Sequence, residues 1–337
     1  MNRRLFRLSA AALSTALVGV AAAQGTPVRF TLDFAFQGPQ GPFLLAQERG
    51  YYEQAGLNMR IDRGFGSADA ISKIASGAYD MGFGDFNAML EFNARNPQNR
   101  LIAIYMVHDA PAFSILTLDP DIRVPKDLEG KTLAAPAGDS GRRLFPLFAE
   151  ANGIDERKVK FTTVDATLRE ATLARGQTDA ITGFSFTSLL NLKNVGVAEN
   201  RIRIMPYSAS VRGLYGNAVI ARPEFLKKNP AAARAFLAAT VRGFQDTLKD
   251  PRAAVAAVKK RDALVNEALE LERLNLALKN NVVTADVRAF GLGQVRRDRL
   301  AQSIKLVSRA FDLPAGLTPQ NVFTDAYLPP LASRRVK

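Results

Sequence analysis

Val28–Phe34 (VRFTLDF), Leu57–Ile61 (LNMRI) and Met81–Gly84 (MGFG) are short apolar runs, and each empties into a turn and then into the start of a helix. The first is rich in β-branched and aromatic residues and runs into Ala35–Pro42 (AFQGPQGP), where Gly and Pro forbid either regular period. A helix is expected over Phe43–Glu48, with Pro42 at its first position and Gly50 as its stop. After the second run come Gly64, Phe65, Gly66 and Ser67. Ser67 is expected to cap a helix that buries Ala70, Ile71, Ile74 and Ala75, carries Asp69 in its first turn and ends at Gly77. After the third run, Asp85 is expected to cap a helix through Ala88, Met89 and Leu90. Strand, turn and helix recur three times. In open α/β sheets such turns gather at the carboxyl ends of the strands, where free helix N–H groups can hold a ligand.

Outward from this wall, Leu101–Val107 (LIAIYMV) and Phe113–Leu118 (FSILTL) read as two strands joined by His108–Pro111 with no helix between them. That break in the alternation marks a crossing into a second lobe. The second lobe repeats the grammar of the first. Thr132–Ala135 is a strand, Gly138–Gly141 a turn and Arg142–Ala151 a helix ended by Gly153; Val159–Val164 is a strand, Thr167–Leu173 a helix stopped by Gly176, and Ala180–Phe184 a strand. Leu214–Ile220 is the expected return crossing. From Pro223 to about Ala310 the pattern is helical only, with Phe225, Phe236, Leu237, Val241 and Phe244 at helical spacing, a block expected to pack on the first lobe. The Pro-rich tail from Pro314 is expected to be a loosely held strap. The expected organisation is an α/β protein of two lobes with a hinge: a leader over 1–23, a first lobe from 26–111 and 218–337, and a second lobe from 112–217.

Composition excludes several classes. The 337 residues include no Cys and one His, so disulfides, thiolate metal ligands, a cysteine nucleophile and any site needing two imidazoles are ruled out. The formal charge is +13, but the basic residues are scattered among 32 acidic ones without an aromatic-interleaved block, which reads as a solvated surface rather than a nucleic-acid interface. Arg3, Arg4 and Arg7, then Leu8–Val20, then Ala21, Ala22 and Ala23 make an n-region, an apolar h-region and a small-residue cleavage site. The run is too short and Ala-rich for a stable membrane span. Export is expected, by the general secretory or the twin-arginine route, and without a Cys at the cleavage point the mature chain carries no lipid anchor there. The location expected is the periplasm.

Gly41–Leu57 (GPFLLAQERGYYEQAGL), Gly66–Gly77 (GSADAISKIASG), Ala78–Asp85 (AYDMGFGD), Pro125–Pro136 (PKDLEGKTLAAP) and Leu173–Gly183 (LARGQTDAITG) together resemble the periplasmic substrate-binding proteins of ABC importers in the nitrate, sulfonate, taurine and thiamine-precursor group. The resemblance runs from about Val28 to Phe311. It implies a type II two-lobed binding protein that captures a small polar solute, hands it to an inner-membrane permease, works as a monomer and needs no cofactor or metal. Pyrimidine-precursor binders of the group usually carry a Pro-Asn pair and a His in the first loop, where this chain has Phe36, Gln37 and Gln40. They also place an acidic residue after the equivalent of Gly183, where this chain has Phe184, Ser185, Phe186 and Thr187. A related enzyme that makes the thiamine pyrimidine depends on a Cys-rich iron motif with a His and a Lys-bound pyridoxal phosphate. A chain without Cys is not expected to catalyse that reaction.

Two ligand chemistries stay open. Phe36, Phe86 and Phe184 would stack a planar ring such as a thiamine-precursor-like heterocycle, with Gln37, Ser67, Asn87 and Ser140 at its edge; Gln40, Asp85 and Asn217 are expected to complete the lining. Alternatively, the Gly66–Ser67 and Gly138–Ser140 turns with Arg142 or Arg143 would suit an alkanesulfonate, taurine, nitrate or a carboxylate. Asp69, Asp85 and Asp139 lie in the same turns and would repel a bare oxyanion unless engaged in capping. Gly138–Gly141 also spells the GDSG of trypsin-like proteases, but here it joins a strand to a helix and lacks that fold's antiparallel barrels. Gly130-Lys131-Thr132 lacks the upstream Gly of a phosphate loop.

Overall fold

Ten strands fall into two five-stranded mixed sheets in the computed structural model, which describes residues 25–336. The predicted leader lies outside the described residues. The first sheet, in order β2-β1-β3-β10-β4, is built from β1 (Thr26–Thr31), β2 (Leu57–Asp62), β3 (Met81–Asp85), β4 (Ile102–Met106) and β10 (Asn217–Ala221). The second, in order β7-β6-β8-β5-β9, takes β5 (Phe113–Thr117), β6 (Thr132–Ala135), β7 (Lys160–Thr163), β8 (Ala180–Phe184) and β9 (Arg203–Pro206). In each sheet three strands are parallel, β1 between β2 and β3, and β6 between β7 and β8. One strand in each runs against its neighbours: β10 between β3 and β4, and β5 between β8 and β9. Each of these is entered directly from a crossing.

The first sheet is sealed by Phe30, Phe43, Phe83, Phe236 and Phe244, whose ring centroids stand 5.1–5.5 Å apart. The helix Gly41–Glu48 packs there against Pro230–Lys249, and Pro251–Arg261 joins them, as the apolar spacing from Phe225 predicts. Truncating one such buried ring costs about 3–5 kcal/mol. A second core runs between the lobes. It joins Ile74, Phe86 and Met89 to Phe113, Phe145 and Phe148, and Ile304 and Val307 of the helix Arg297–Ala310 cover it. The helical block therefore also reaches the second lobe.

Both crossings are gripped by one side chain of that helix. Arg299 donates to the carbonyls of Asp109 and Leu214 (2.5 and 2.7 Å) and pairs with the Asp109 carboxylate at 3.0 Å. Asp109 and Leu214 belong to the outgoing and return crossings respectively.

Two expectations need correction, and one strand was not expected. Ser67 is the first residue of its helix and caps nothing; Gly66 holds the cap position at φ 121°, where a Cβ would be strained. The strand β9 escapes a sequence reading because four residues on a sheet edge carry little periodicity. The tail is not loose: Thr324 donates to the Ala103 carbonyl at 3.0 Å, and buried Arg334 donates to the carbonyls of Phe290 and Leu292. Phe323 bridges to Ala103, and Gly293 to Met106, so tail and loop cover the outer edge of β4.

Candidate functional site

A cavity of about 180 Å³ opens between the lobes. Its wall is made at and just beyond the strand carboxyl ends: Asp33, Phe34, Gln37, Pro39 and Gln40 after β1, Phe65–Asp69 beyond β2, His108 after β4, Pro136 and Gly138–Ser140 after β6, Ala166 and Arg169 after β7, and Phe184, which closes β8, with Phe186 and Thr187. This is the position at which open α/β sheets place ligands.

Asp33 is the centre of the first-lobe wall. It is 4 % exposed, and its two carboxylate oxygens accept from Gln40 Nε2 and Asn217 Nδ2, both at 2.7 Å. Burial pushes its carboxyl up to about 6, and the hydrogen bonds from Gln40 and Asn217 oppose that rise. Around it the wall is aromatic, with Phe34, Phe65, Phe184 and Phe186.

The second-lobe wall rests on a buried ion cluster. Arg169 pairs with Glu170 at 2.6 Å and with Asp139 at 3.5 Å, and Ser188 donates to Glu170 at 2.7 Å. Burial works against the charge on Glu170, but the Arg169 guanidinium outweighs it and holds the carboxyl below its ordinary value. One cation thus serves two carboxylates. Asp139 also caps the helix Ser140–Arg143 through the Arg142 N–H at 2.8 Å and accepts from Thr182.

Four helix starts gather near the cleft, and they differ. Asp85 caps Phe86–Arg95 through the Asn87 N–H, and Asp139 caps its own helix, so both carry their own anion. The helices Ser67–Ala75 and Ser185–Asn194 have no side-chain cap, which leaves backbone N–H donors free at Ser67 and at Phe186–Thr187 beside the cavity.

A third element holds the two walls together. Glu270 accepts from the Gly38 N–H at 2.7 Å, and Arg273 pairs with Glu270 while donating to the Thr187 carbonyl at 3.0 Å and to Asn191 Oδ1 at 3.1 Å. Gly38 is required there because a Cβ would run into the Glu270 carbonyl. The helix Glu267–Ala277 thereby joins the first-lobe loop to the second-lobe helix that line the cavity.

Of the residues singled out from sequence, Gln37, Gln40, Gly66, Ser67, Gly138, Ser140 and Phe184 share the cavity wall. The others lie elsewhere. Phe36 packs on the first core beneath Arg261, at 4.9 Å, and Phe86 is fully buried against Tyr215. Arg142 lies over Phe161 and donates to Thr163, while Arg143 pairs with Glu91. Asp85, Asn87 and Asn217 stand behind the wall as supports. Asn87 donates to Asp85 and to the Tyr215 carbonyl, and Asn217 holds Asp33. Burial pushes the Asp85 carboxyl up to about 6; Ser140, facing it from the other lobe, and Asn87 oppose the rise. The sequence reading passed over Asp33, Phe34, Phe65, Arg169 and Phe186. Asp33 had the plainest signal, an acid closing an apolar strand ahead of a Gly-Pro loop. Arg169 sits on a helix with no motif to mark it.

Two α/β lobes with two crossings and a cleft walled from both sheets define the periplasmic-binding-protein fold, and the chain belongs to the NMT1/THI5-like family, whose profile matches residues 39–254. The riboflavin-binding protein RibY of Chloroflexus aurantiacus is 24% identical over 302 residues, which cover 86% of this chain and 82% of that protein. The 4-amino-5-hydroxymethyl-2-methylpyrimidine phosphate synthase of Schizosaccharomyces pombe is 26% identical over 221 residues, 62% of each chain. The solved structure of the alkanesulfonate-binding protein SsuA from Xanthomonas axonopodis pv. citri, bound to MOPS, superposes with a TM-score of 0.69 over 90% of this chain and 99% of that one, at 15% identity. That likeness establishes the shared fold.

Proposed function

We propose that this protein is an exported solute-binding component of an ABC importer, which closes in the periplasm on a small, neutral, planar nitrogen heterocycle and presents it to a membrane permease. The observation that carries the ligand class is the electrostatics of the wall. A buried carboxylate, Asp33, faces the cavity, and the cation that lines it, Arg169, is already shared by Asp139 and Glu170. A bare oxyanion would meet net negative charge there and lose its hydration without a free partner. A heterocycle would stack on the aromatic wall, give an N–H to Asp33 and accept from the open N–H groups at Ser67 and Thr187. The names of RibY and of the pyrimidine synthase point the same way.

The mechanism follows from linkage. A ligand that touches both lobes binds the closed state better than the open one and shifts that population, and the closed surface is what a permease would read. Binding and release need no chemical step, and a chain without Cys lacks the thiolate set on which the pyrimidine-making enzyme of this group depends. The mature protein is read as a monomer that works without a cofactor.

The uncapped helix starts at Ser67 and Ser185 favour a second reading, an alkanesulfonate, taurine or nitrate held by backbone N–H groups. A thermal-shift screen separates the two, because a ligand that binds only the folded state raises the melting temperature by mass action. The expected result is stabilisation by 4-amino-5-hydroxymethyl-2-methylpyrimidine or riboflavin and none by sulfonates, taurine or nitrate. Stabilisation by the anions alone would overturn the heterocycle reading.

A further inference from the structure

His108 is the single histidine of the chain, and it follows β4 at the outgoing crossing. Its backbone belongs to the hinge. The His108 N–H donates to the Asn217 carbonyl at 2.8 Å, and its carbonyl accepts from the Gly216 N–H at 2.9 Å, so the residue is bonded to the return crossing in both directions. Its side chain lines the cavity although the residue is only 2 % exposed. The imidazole meets the rings of Phe83, Phe184 and Phe186 edge-on, with centroids 5.4, 6.5 and 5.9 Å away.

The rings pack against the imidazole but give it no hydrogen bond. Nδ1 is sealed from solvent without a hydrogen-bond partner, and no hydrogen bond among the described residues reaches the imidazole. Buried polar side chains are normally satisfied, and a phenyl ring would fill this aromatic enclosure without leaving a nitrogen unpaired. Nε2 is not sealed in the same way, and the residue lines the cavity, so Nε2 is the nitrogen left for a ligand. An orphaned N–H is rarer than an under-satisfied acceptor, so the proton belongs on Nε2, where a ligand can use it, and bare Nδ1 takes the sealed position.

We infer that His108 is a specificity-determining residue of the cleft, whose imidazole donates from Nε2 to a carbonyl oxygen or ring nitrogen of the bound heterocycle and so ties the ligand to both crossings. The inference rests on the heterocycle reading and sharpens it. Asp33 supplies an acceptor and His108 a donor, so the ligand edge they read carries an N–H beside an acceptor, as an aminopyrimidine or the imide of a flavin does. The enclosing rings offer no charge, and burial pushes the imidazole down to about 3, which keeps it a neutral donor across the physiological range.

With a single histidine, protein labelled with 15N-histidine reports one imidazole. In the free protein the nitrogen shifts should show the neutral form protonated on Nε2, unchanged between about pH 5 and 8. Saturation with 4-amino-5-hydroxymethyl-2-methylpyrimidine or riboflavin should move the Nε2 signal, and His108→Phe should weaken that probe at least tenfold while His108→Gln retains part of the affinity. If a probe binds, the imidazole signals stay put and His108→Phe binds equally well, the assignment is wrong and the heterocycle reading stands. If neither probe binds the wild-type protein, both fall together. Should His108→Phe not fold, the wild-type spectrum and the Gln variant decide the question.

Discussion

Asp33 and Asn217 are joined by a 2.7 Å hydrogen bond although 184 residues separate them in the chain. The bond ties the loop after β1 to the first residue of the strand that returns from the second lobe, so the carboxylate facing the cavity is held by the hinge itself. Asp33→Asn would leave one of the two amides, Gln40 or Asn217, pointing a donor at a donor. The variant should bind the aminopyrimidine probe roughly 10- to 100-fold more weakly, in line with about 1.5–3 kcal/mol for a hydrogen bond to a charged group. Since burial pushes the wild-type carboxyl up to about 6, affinity should also fall as pH drops below 6, by up to about tenfold per unit. Isothermal titration at pH 7.5, 6 and 5 checks both; an affinity flat across that range would remove Asp33 from the contact.

Asp85 is an N-cap with one carboxylate oxygen, Oδ2, buried and unpaired. Its carboxyl is raised by burial from the ordinary value to about 6, so the native state holds the proton more tightly than the unfolded chain does. The stability this group contributes is therefore complete below about pH 4 and is lost as pH rises through 6. Asp85→Asn keeps the cap and removes the buried charge. It should be more stable than wild type at pH 8 by about 1–3 kcal/mol, with the gain shrinking toward zero at pH 4.5. Denaturant melts at the two pH values decide; a gain independent of pH contradicts the argument.

Arg142 and Arg143 turn away from the cavity, toward Phe161 and Glu91. Replacing both with Ala should leave the affinity for any heterocycle within about twofold. Anion binders of the kind suggested by these arginines would instead lose at least tenfold, a difference that fluorescence or calorimetric titration resolves directly.

Arg273 is 1 % exposed and neutralises Glu270, 5 % exposed, between the two walls. Arg273→Met strands a buried carboxylate and should destabilise the protein by about 3–5 kcal/mol. The double variant Glu270→Gln, Arg273→Met removes both charges and should recover much of that loss. A double variant as unstable as the single one would mean that the contacts to Thr187 and Asn191, rather than the charge pair, carry the effect.

The alternation of strand, turn and helix was legible because each element carries its own period and its own punctuation. Asp85 as a cap, Gly77 and Gly153 as stops, and the change to helices at Pro223 are local statements, and local chemistry decides them. What stayed hidden depends on partners far along the chain. Ser67 looks like a cap until the loop geometry gives that position to Gly66. Phe86 follows β3 and Phe184 closes β8, and both touch the interlobe core, yet only Phe184 also reaches the cavity, a choice set by sheet position rather than by neighbours in sequence. The Arg169 and Arg273 clusters join elements that no spacing relates. The tail looks loose because its hydrogen bonds go to Ala103, Phe290 and Leu292, which its own composition cannot announce.

The covering of β4 by Phe323 and Gly293 bears on the order in which the chain matures. All five strands of the second sheet lie in one continuous stretch, Phe113–Pro206, and can pair as soon as that stretch is free to fold. The first sheet lacks β10 at its centre until residue 221, and its outer edge stays bare until the last residues arrive. The half that is synthesised first is thus the half completed last, and during that interval the unpaired flanks of β3 and β4 are the surfaces most in need of a holding chaperone.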